Sequence, residues 1–238
     1  MTFLKLTRRA LLAASAATAL ALPFAPAQAQ SAEDVLIVGQ IAEPQALDPA
    51  AVTAVNDFRI LMNMYDGLVR YKDGTLEVEP ALATDWTISE DGTVYTFTLR
   101  EGVMFHDGSA FDAEAVKFNF ERMLDEAHPY HNTGPFPLAF FFSAVESVDV
   151  IDPLTVAFTL NAPYAPFLSN LAYPTGLIVS PAAVMEYGTD FGRHPSGTGA
   201  FSFGEWRSNE AVVVQANPEY WDGAPKLETV VFRPITDA

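Results

Sequence analysis

The 238-residue chain contains no cysteine. That excludes disulfides, thiolate metal sites and a lipid anchor on an N-terminal cysteine. Basic residues are scarce: 13 Lys and Arg stand against 30 Asp and Glu, for a formal net charge of −17. Such a balance excludes a nucleic-acid or anionic-membrane surface, since phosphates need a basic face. It suits a solvated acidic surface that keeps a protein soluble. Familiar catalytic patterns are missing too. There is no G-x-S-x-G, no H-E-x-x-H and no G-x-x-x-x-G-K-[ST]. Gly197-Thr198-Gly199 lacks the lysine of a phosphate loop and runs on into a strand-like stretch, so it reads as a glycine-permitted bend.

The one long apolar run is at the start. Met1–Arg9 carries Lys5, Arg8 and Arg9 and no acid, Ala10–Ala25 is apolar and small, and Ala27-Gln28-Ala29 is an A-x-A cleavage pattern. Together they predict a secretory signal over 1–29, with Arg8-Arg9 in a twin-arginine-like context. Pro23 and Pro26 interrupt the run, which falls short of a bilayer's thickness. Half of all residues are apolar, enough to bury a core.

The chain is organised around Trp86–Leu124. Thr93–Arg100 alternates with a period of two: Tyr95, Phe97 and Leu99 face one way, Val94, Thr96 and Thr98 the other. Glu90-Asp91-Gly92 is a turn, so Trp86–Ser89 and Thr93–Arg100 form a hairpin. Asp112 sits where a helix N-cap belongs, and Val116, Phe120, Met123, Leu124 and Ala127 fall on one helical face after it. Asp34–Ala42 reads as a buried strand. Phe58, Leu61, Met62 and Tyr65 mark a helix with Gly67 at its C′ position. Val145–Val150 and Leu154–Leu160 form a second hairpin and Ala165–Leu171 a helix. Ser180-Pro181 starts a short helix that stops near Gly188. Ala211–Ala216 and Leu227–Phe232 are strands.

The central stretch, W-x-x-S-x-D-G-x-x-Y-x-F-x-L-R-x-G-V-x-F-x-D-G followed by A-E-A-V-x-x-x-x-x-R, resembles the signature of the extracellular solute-binding proteins of family 5, the peptide- and nickel-binding components of ABC importers. Leu47-Asp48-Pro49, Tyr65-Asp66-Gly67-Leu68-Val69, Pro80-Ala81-Leu82-Ala83, Pro195–Phe201 and the run Asn217-Pro218-Glu219-Tyr220-Trp221-Asp222-Gly223 resemble further motifs of that family. The likeness runs from about Val35 to Asp237. It implies a mixed α and β fold (α+β or α/β), one lobe of a class II periplasmic binding protein: a sheet-rich lobe from 30–64 and 170–238, with an α/β subdomain of 65–169 inserted and the second lobe absent. It implies capture of a peptide-like solute, dipeptide, oligopeptide or glutathione-like. A monomer would deliver it to an ABC permease in the inner membrane, with no cofactor, no metal and no chemical step. The lack of a tether then favours a periplasm.

The resemblance places ligand contacts at Thr53, Ala54 and Val55, after L-D-P-A, and at Tyr173. By the residues alone, the first segment could equally cap the following helix, and Tyr173 could be core. Nickel binders of the family carry an Arg where this chain has Thr175, which favours peptides over nickel or another small solute. The acidic partner of a peptide's α-amino group is implied to lie outside these residues. His106-Asp107 is read as a turn with Gly108, and His128 and His131, separated by Pro129, as loop residues rather than a metal pair. Asp85, Glu90 and Asp91 read as solvated turn carboxylates. Two rivals remain: an inactive truncated fragment, which would expose apolar surface, and a secreted hydrolase, which would need a catalytic constellation.

Overall fold

The computed structural model describes residues 34–235, so the expected signal lies outside the described residues. Three sheets are built from ten strands. One four-stranded sheet has the order β1-β10-β9-β8, from Val35–Gln40, Thr229–Pro234, Ala211–Ala216 and Phe201–Arg207. Its β1–β10 pair is parallel and the others antiparallel. A second has the order β4-β5-β7-β6, from Ala83–Ile88, Val94–Leu99, Thr155–Leu160 and Val145–Asp152, all antiparallel. A small ribbon pairs β2 (Val69–Tyr71) with β3 (Val78–Pro80). Four α-helices pack on these: α1 (Val55–Met64), α2 (Ala113–Leu124), α3 (Phe167–Leu171) and α4 (Pro181–Tyr187).

The β4–β5 hairpin turns at Gly92, whose φ of +73° is the conformation that glycine tolerates best. From β5, Tyr95, Phe97 and Leu99 all enter the core, as their alternation demands. The pleat brings them beside Val156, Phe158 and Leu160 of β7, and α2 lays Val116, Phe120 and Met123 over that face. The rings meet edge to face: Phe120 lies 4.8 Å from Phe158 at 87°, and Phe97 lies 5.8 Å from it at 86°. The Asp112 carboxylate caps α2 by accepting from Ala115 N–H at 2.9 Å, and the Ser180 hydroxyl caps α4 from Ala183 N–H at 3.2 Å, with Pro181 at the first helical position. Against the first sheet, Leu61 and Met64 of α1 join Val212, Val214, Val230 and Phe232 in a second core.

Several details differ from the sequence reading. β1 is an edge strand with Leu36 and Ile37 exposed, because only β10 pairs with it. α1 turns Met62 to solvent and ends at Met64, since Tyr65 is already extended; Gly67 is therefore no helix C′ residue and instead bridges Leu177. α2 stops at Leu124, where Asp125 becomes extended, so Ala127 is exposed and off the helical face. Gly197 and Gly199 serve close approach more than bending: a Cβ on either would lie 2.2 and 2.5 Å from Met64 backbone atoms.

The two halves of the molecule are joined through a buried ion pair. Arg122 of α2 and Asp48, from the L-D-P motif before α1, are both almost wholly inaccessible. The guanidinium donates to Asp48 Oδ2 at 2.9 Å and Oδ1 at 3.2 Å, and to Thr133 Oγ1 at 3.2 Å. Asp48 Oδ1 also accepts from Ala50 N–H at 3.0 Å. Arg122 Nε has no hydrogen-bond partner, but the guanidinium lies 5.2 Å from the Phe136 ring and 5.9 Å from that of Phe191. Phe136 holds a left-handed φ of +42°, unusual for a bulky residue, and this contact is one reason the conformation persists.

Removing one member of such a pair leaves a buried, uncompensated charge. Asp48→Ala or Arg122→Ala should each destabilise the chain by about 3–5 kcal/mol in urea unfolding. The double variant should cost much less than the two singles together; simple additivity would show that the pair does not act as a unit.

Candidate functional site

The stretch Thr53–Val55 runs straight into α1. Val55 is the first helical residue, and Ala54 precedes it as an extended N-cap with φ −87° and ψ 143°. No side chain caps the helix from outside, so Thr53 is not spent on that task. Asp57, three residues on, reaches back instead: it accepts from Gln45 N–H at 3.2 Å and is also bonded by Ala54 N–H. Burial raises the pKa of its carboxyl, and these two N–H groups pull it back. Thr53 itself is exposed, and neither its backbone nor its hydroxyl hydrogen-bonds to any other described residue. Val55 is 66% exposed. Ala54 is thus held in extended form by Asp57 and Phe58, and the backbone groups of Thr53 before it are left without partners among the described residues.

Tyr173 stands half-buried between α3 and the turn at Pro174–Gly176. Its ring meets Phe58 of α1 edge-on at 5.6 Å and 78°, and Phe141 at 5.2 Å and 88°. Phe141 meets Phe140 at 4.6 Å. Phe58 N–H bonds Ala54 O at 3.2 Å, so the aromatic row Phe140–Phe141–Tyr173–Phe58 ends one helical turn from Ala54. The Tyr173 hydroxyl has no partner among the described residues. Phe140 is 61% exposed, while Phe142 of the same triplet is fully buried. Phe140 and Phe141 lie in a 3-10 turn, Ala139–Phe142, held to α3 by Asn170 Nδ2 donating to Phe141 O at 2.7 Å. Sequence reasoning gave these two rings no role, although three consecutive phenylalanines cannot all enter one core from a single turn.

A different feature sits behind this face. Asp66 accepts from Thr198 Oγ1 at 2.8 Å, Tyr220 OH at 3.0 Å and Trp221 Nε1 at 2.9 Å. Burial raises its pKa, and the three donors, led by Trp221, oppose the rise. Arg100 lies over Trp221, 4.4 Å from the ring centroid. His106 is held between backbone groups: Gly197 N–H donates to Nδ1 at 3.3 Å, and Nε2 lies 2.9 Å from Gly199 O. A cavity of about 670 Å³ opens beside these residues, and neither Thr53 nor Tyr173 lines it. His106, Thr198, Asn217 and Trp221 in its lining are hydrogen-bonded within the fold, whereas the Glu101 and Glu219 carboxylates at its edge have no partner among the described residues. His106-Asp107 is part of a tight turn at Gly108, with Asp107 Oδ1 accepting from Ser109 N–H and Oγ. His131 is tied to Arg122 O at 3.0 Å and His128 packs edge-on to Phe118. Among the described residues no group of three or more His, Asp or Glu side chains is placed to hold a metal ion.

With this geometry in hand, comparison with known proteins gives the class. The bacterial extracellular solute-binding proteins, family 5 Middle, match over residues 77–238, and the chain belongs to that family. The glutathione-binding protein GsiB of Salmonella paratyphi A is 37% identical over 224 residues, covering 93% of this chain and 42% of that protein. Di/tripeptide-binding protein 2 of Pseudomonas aeruginosa is 37% identical over 231 residues, covering 90% and 43%. The periplasmic binding protein DppA from Helicobacter pylori, solved with the peptide STSA, superposes with a TM-score of 0.80 at 37% identity, over 85% of this chain and 43% of that one. The chain therefore spans less than half the length of these relatives. Its fold corresponds to part of theirs. No helix among the described residues is long and apolar enough to cross a membrane.

Two outcomes are expected at the junction. Asp66→Ala strands three donors, so it should cost on the order of 3 kcal/mol and shift Trp221 emission to the red; unchanged stability would mean the junction is not an anchor. Burial lowers the His106 pKa from its ordinary 6.5, so the unfolded chain binds this proton first. His106 therefore stabilises fully above pH 6.5 and less as pH falls from there towards its depressed folded value. The advantage of the parent over His106→Gln in urea should shrink across that window. A pH-independent difference would remove His106 as the titrating group.

Proposed function

We propose that this chain is the ligand-contacting part of a solute-binding protein that captures peptide-like solutes and passes them unaltered to an ABC permease. One observation carries the reading: Thr53, exposed and next to the extended Ala54, offers unpaired backbone groups at the end of an aromatic row. An extended peptide takes main-chain hydrogen bonds from such an edge, as an added strand would, and lays its side chains on neighbouring rings. Val55, Tyr173 and Phe140 are the side chains in reach, and Ala54, whose N–H and C=O are bonded to Asp57 and Phe58, fixes the strand-like entry to α1 beside them. Relatives named for glutathione and for di- and tripeptides, and a neighbour solved with a peptide, support the same chemistry.

The remaining features follow from this reading. The sheet β1-β10-β9-β8 belongs to a lobe formed by 30–64 and 170–238, and 65–169 is the inserted subdomain around β4-β5-β7-β6. The complete protein works as a monomer in the periplasm after export, closing two lobes on its ligand about a hinge. Binding does no chemistry; the face at Thr53 and Tyr173 has apolar rings and backbone groups, and no nucleophile–base pair.

A thermal-shift series with di- and tripeptides, glutathione and Ni²⁺ tests the proposal. Peptide binding should raise Tm in a concentration-dependent way, and Phe140→Ser should weaken binding by about tenfold without lowering the Tm of the free chain. No response to any peptide, or a response to Ni²⁺ alone, contradicts it.

A further inference from the structure

A second surface lies apart from the aromatic row, between α2 and α4. An apolar groove of about 460 Å³ runs there, with Phe118 of α2 on one wall and Pro181, Ala182 and Met185 of α4 on the other. Met185 is 51% exposed although it is a large apolar side chain. The Phe118 ring is braced by His128, itself a lining residue, at 5.0 Å and by Tyr130 at 5.7 Å. α4 is fixed by the Ser180 cap. The groove is therefore preformed and does not need a ligand to open it.

Its rim carries one sign of charge. Asp112, Glu114 and Glu121 line it, and the one cation among the lining residues, Lys117, is already paired. Lys117 Nζ donates to Glu121 Oε1 at 2.9 Å and to Val148 O at 2.9 Å. Asp112 spends one carboxylate oxygen on the α2 cap, and Glu114 forms no ion pair within 4 Å, although Lys117 acts on it at longer range. An apolar slot with three carboxylates and one lysine at its mouth carries an acidic excess, which repels anions and favours a cation attached to an apolar group. We propose that this groove is a docking surface for a protein partner, which inserts a Leu-like side chain between Phe118 and Met185 and sets a flanking Lys or Arg against Glu114. This surface does not depend on the identity of the captured solute, and a failure of the peptide reading would leave it standing.

The chain provides its own probes. With methyl-¹³C methionine, Met185 reports on the groove, while Met62 and Met104, also exposed but on other surfaces, report indiscriminate binding. The chain is titrated with a short Leu/Lys amphipathic peptide and with a Ser/Lys peptide of equal charge. The Leu/Lys peptide should move the Met185 methyl and leave Met62 and Met104 in place, bind about tenfold tighter than the Ser/Lys peptide, and lose that margin in Met185→Ser. Glu114→Gln should weaken both peptides and flatten the salt dependence. Equal affinity of the two peptides, equal movement of all three methyls, or unchanged binding in Met185→Ser would overturn the proposal. So would a Met185 signal that moves with protein concentration alone, which would make the occupant a second copy of this chain.

Discussion

The salt bridge between Asp48 and Arg122 is the contact on which the arrangement of the proposed ligand face depends. It joins the turn that launches Thr53 and α1 to the helix that covers the second sheet. Two charges buried this deeply are stable only if nearly every valence is met, and here both carboxylate oxygens, Ala50 N–H and Thr133 Oγ1 take part. Tyr65, at the far end of α1, donates to Leu47 O at 2.7 Å and so clamps the same turn from the other side. The path of residues 47–55 is thereby set by buried polar bonds and not by surface contacts. If that segment contacts ligand as proposed, it loses little conformational entropy on binding.

A second polar anchor performs the matching task at the other end of α1. Asp66 gathers donors from two distant stretches, Thr198 and Tyr220-Trp221, onto the turn between α1 and β2. Gly197 and Gly199 allow that turn to approach so closely that a side chain on either would collide with Met64. α1 is therefore pinned at both ends, and the Tyr173–Phe58 contact is pinned with it. The rigidity comes from carboxylates with several partners each, a device that an acidic chain without cysteine can use in place of covalent ties.

How much of this could be read from the residues alone varies with the interaction. Local patterns were legible: the alternation of β5, the Asp112 and Ser180 caps, and the turns at Gly92 and Gly108 each depend on neighbours a few residues apart. The membership of Asp48, Asp66, Arg122, Tyr220 and Trp221 in motifs was also visible. Their meeting was not, because it joins residues 74 and more than 150 positions apart and leaves no periodic trace. Exposure misled in the other direction. The VLIVGQIA run reads as a buried strand, but β1 has a neighbour on one side only and exposes Leu36 and Ile37, and Met62 sits a single position off the buried stripe of α1. At the ligand face, Thr53–Val55 and Tyr173 were indicated by resemblance alone. The aromatic row that connects them came through Phe141 and Phe58, whose proximity is purely tertiary.

The central claim is that peptide main chain pairs with the free backbone at Thr53. Amide hydrogen exchange of the chain, with and without a saturating dipeptide, measures it directly. The account predicts that protection rises at the Thr53 and Val55 amides and stays unchanged around Asn217 and Trp221. Protection gained beside the large cavity at Asn217–Trp221, with Thr53 still exchanging freely, would contradict it.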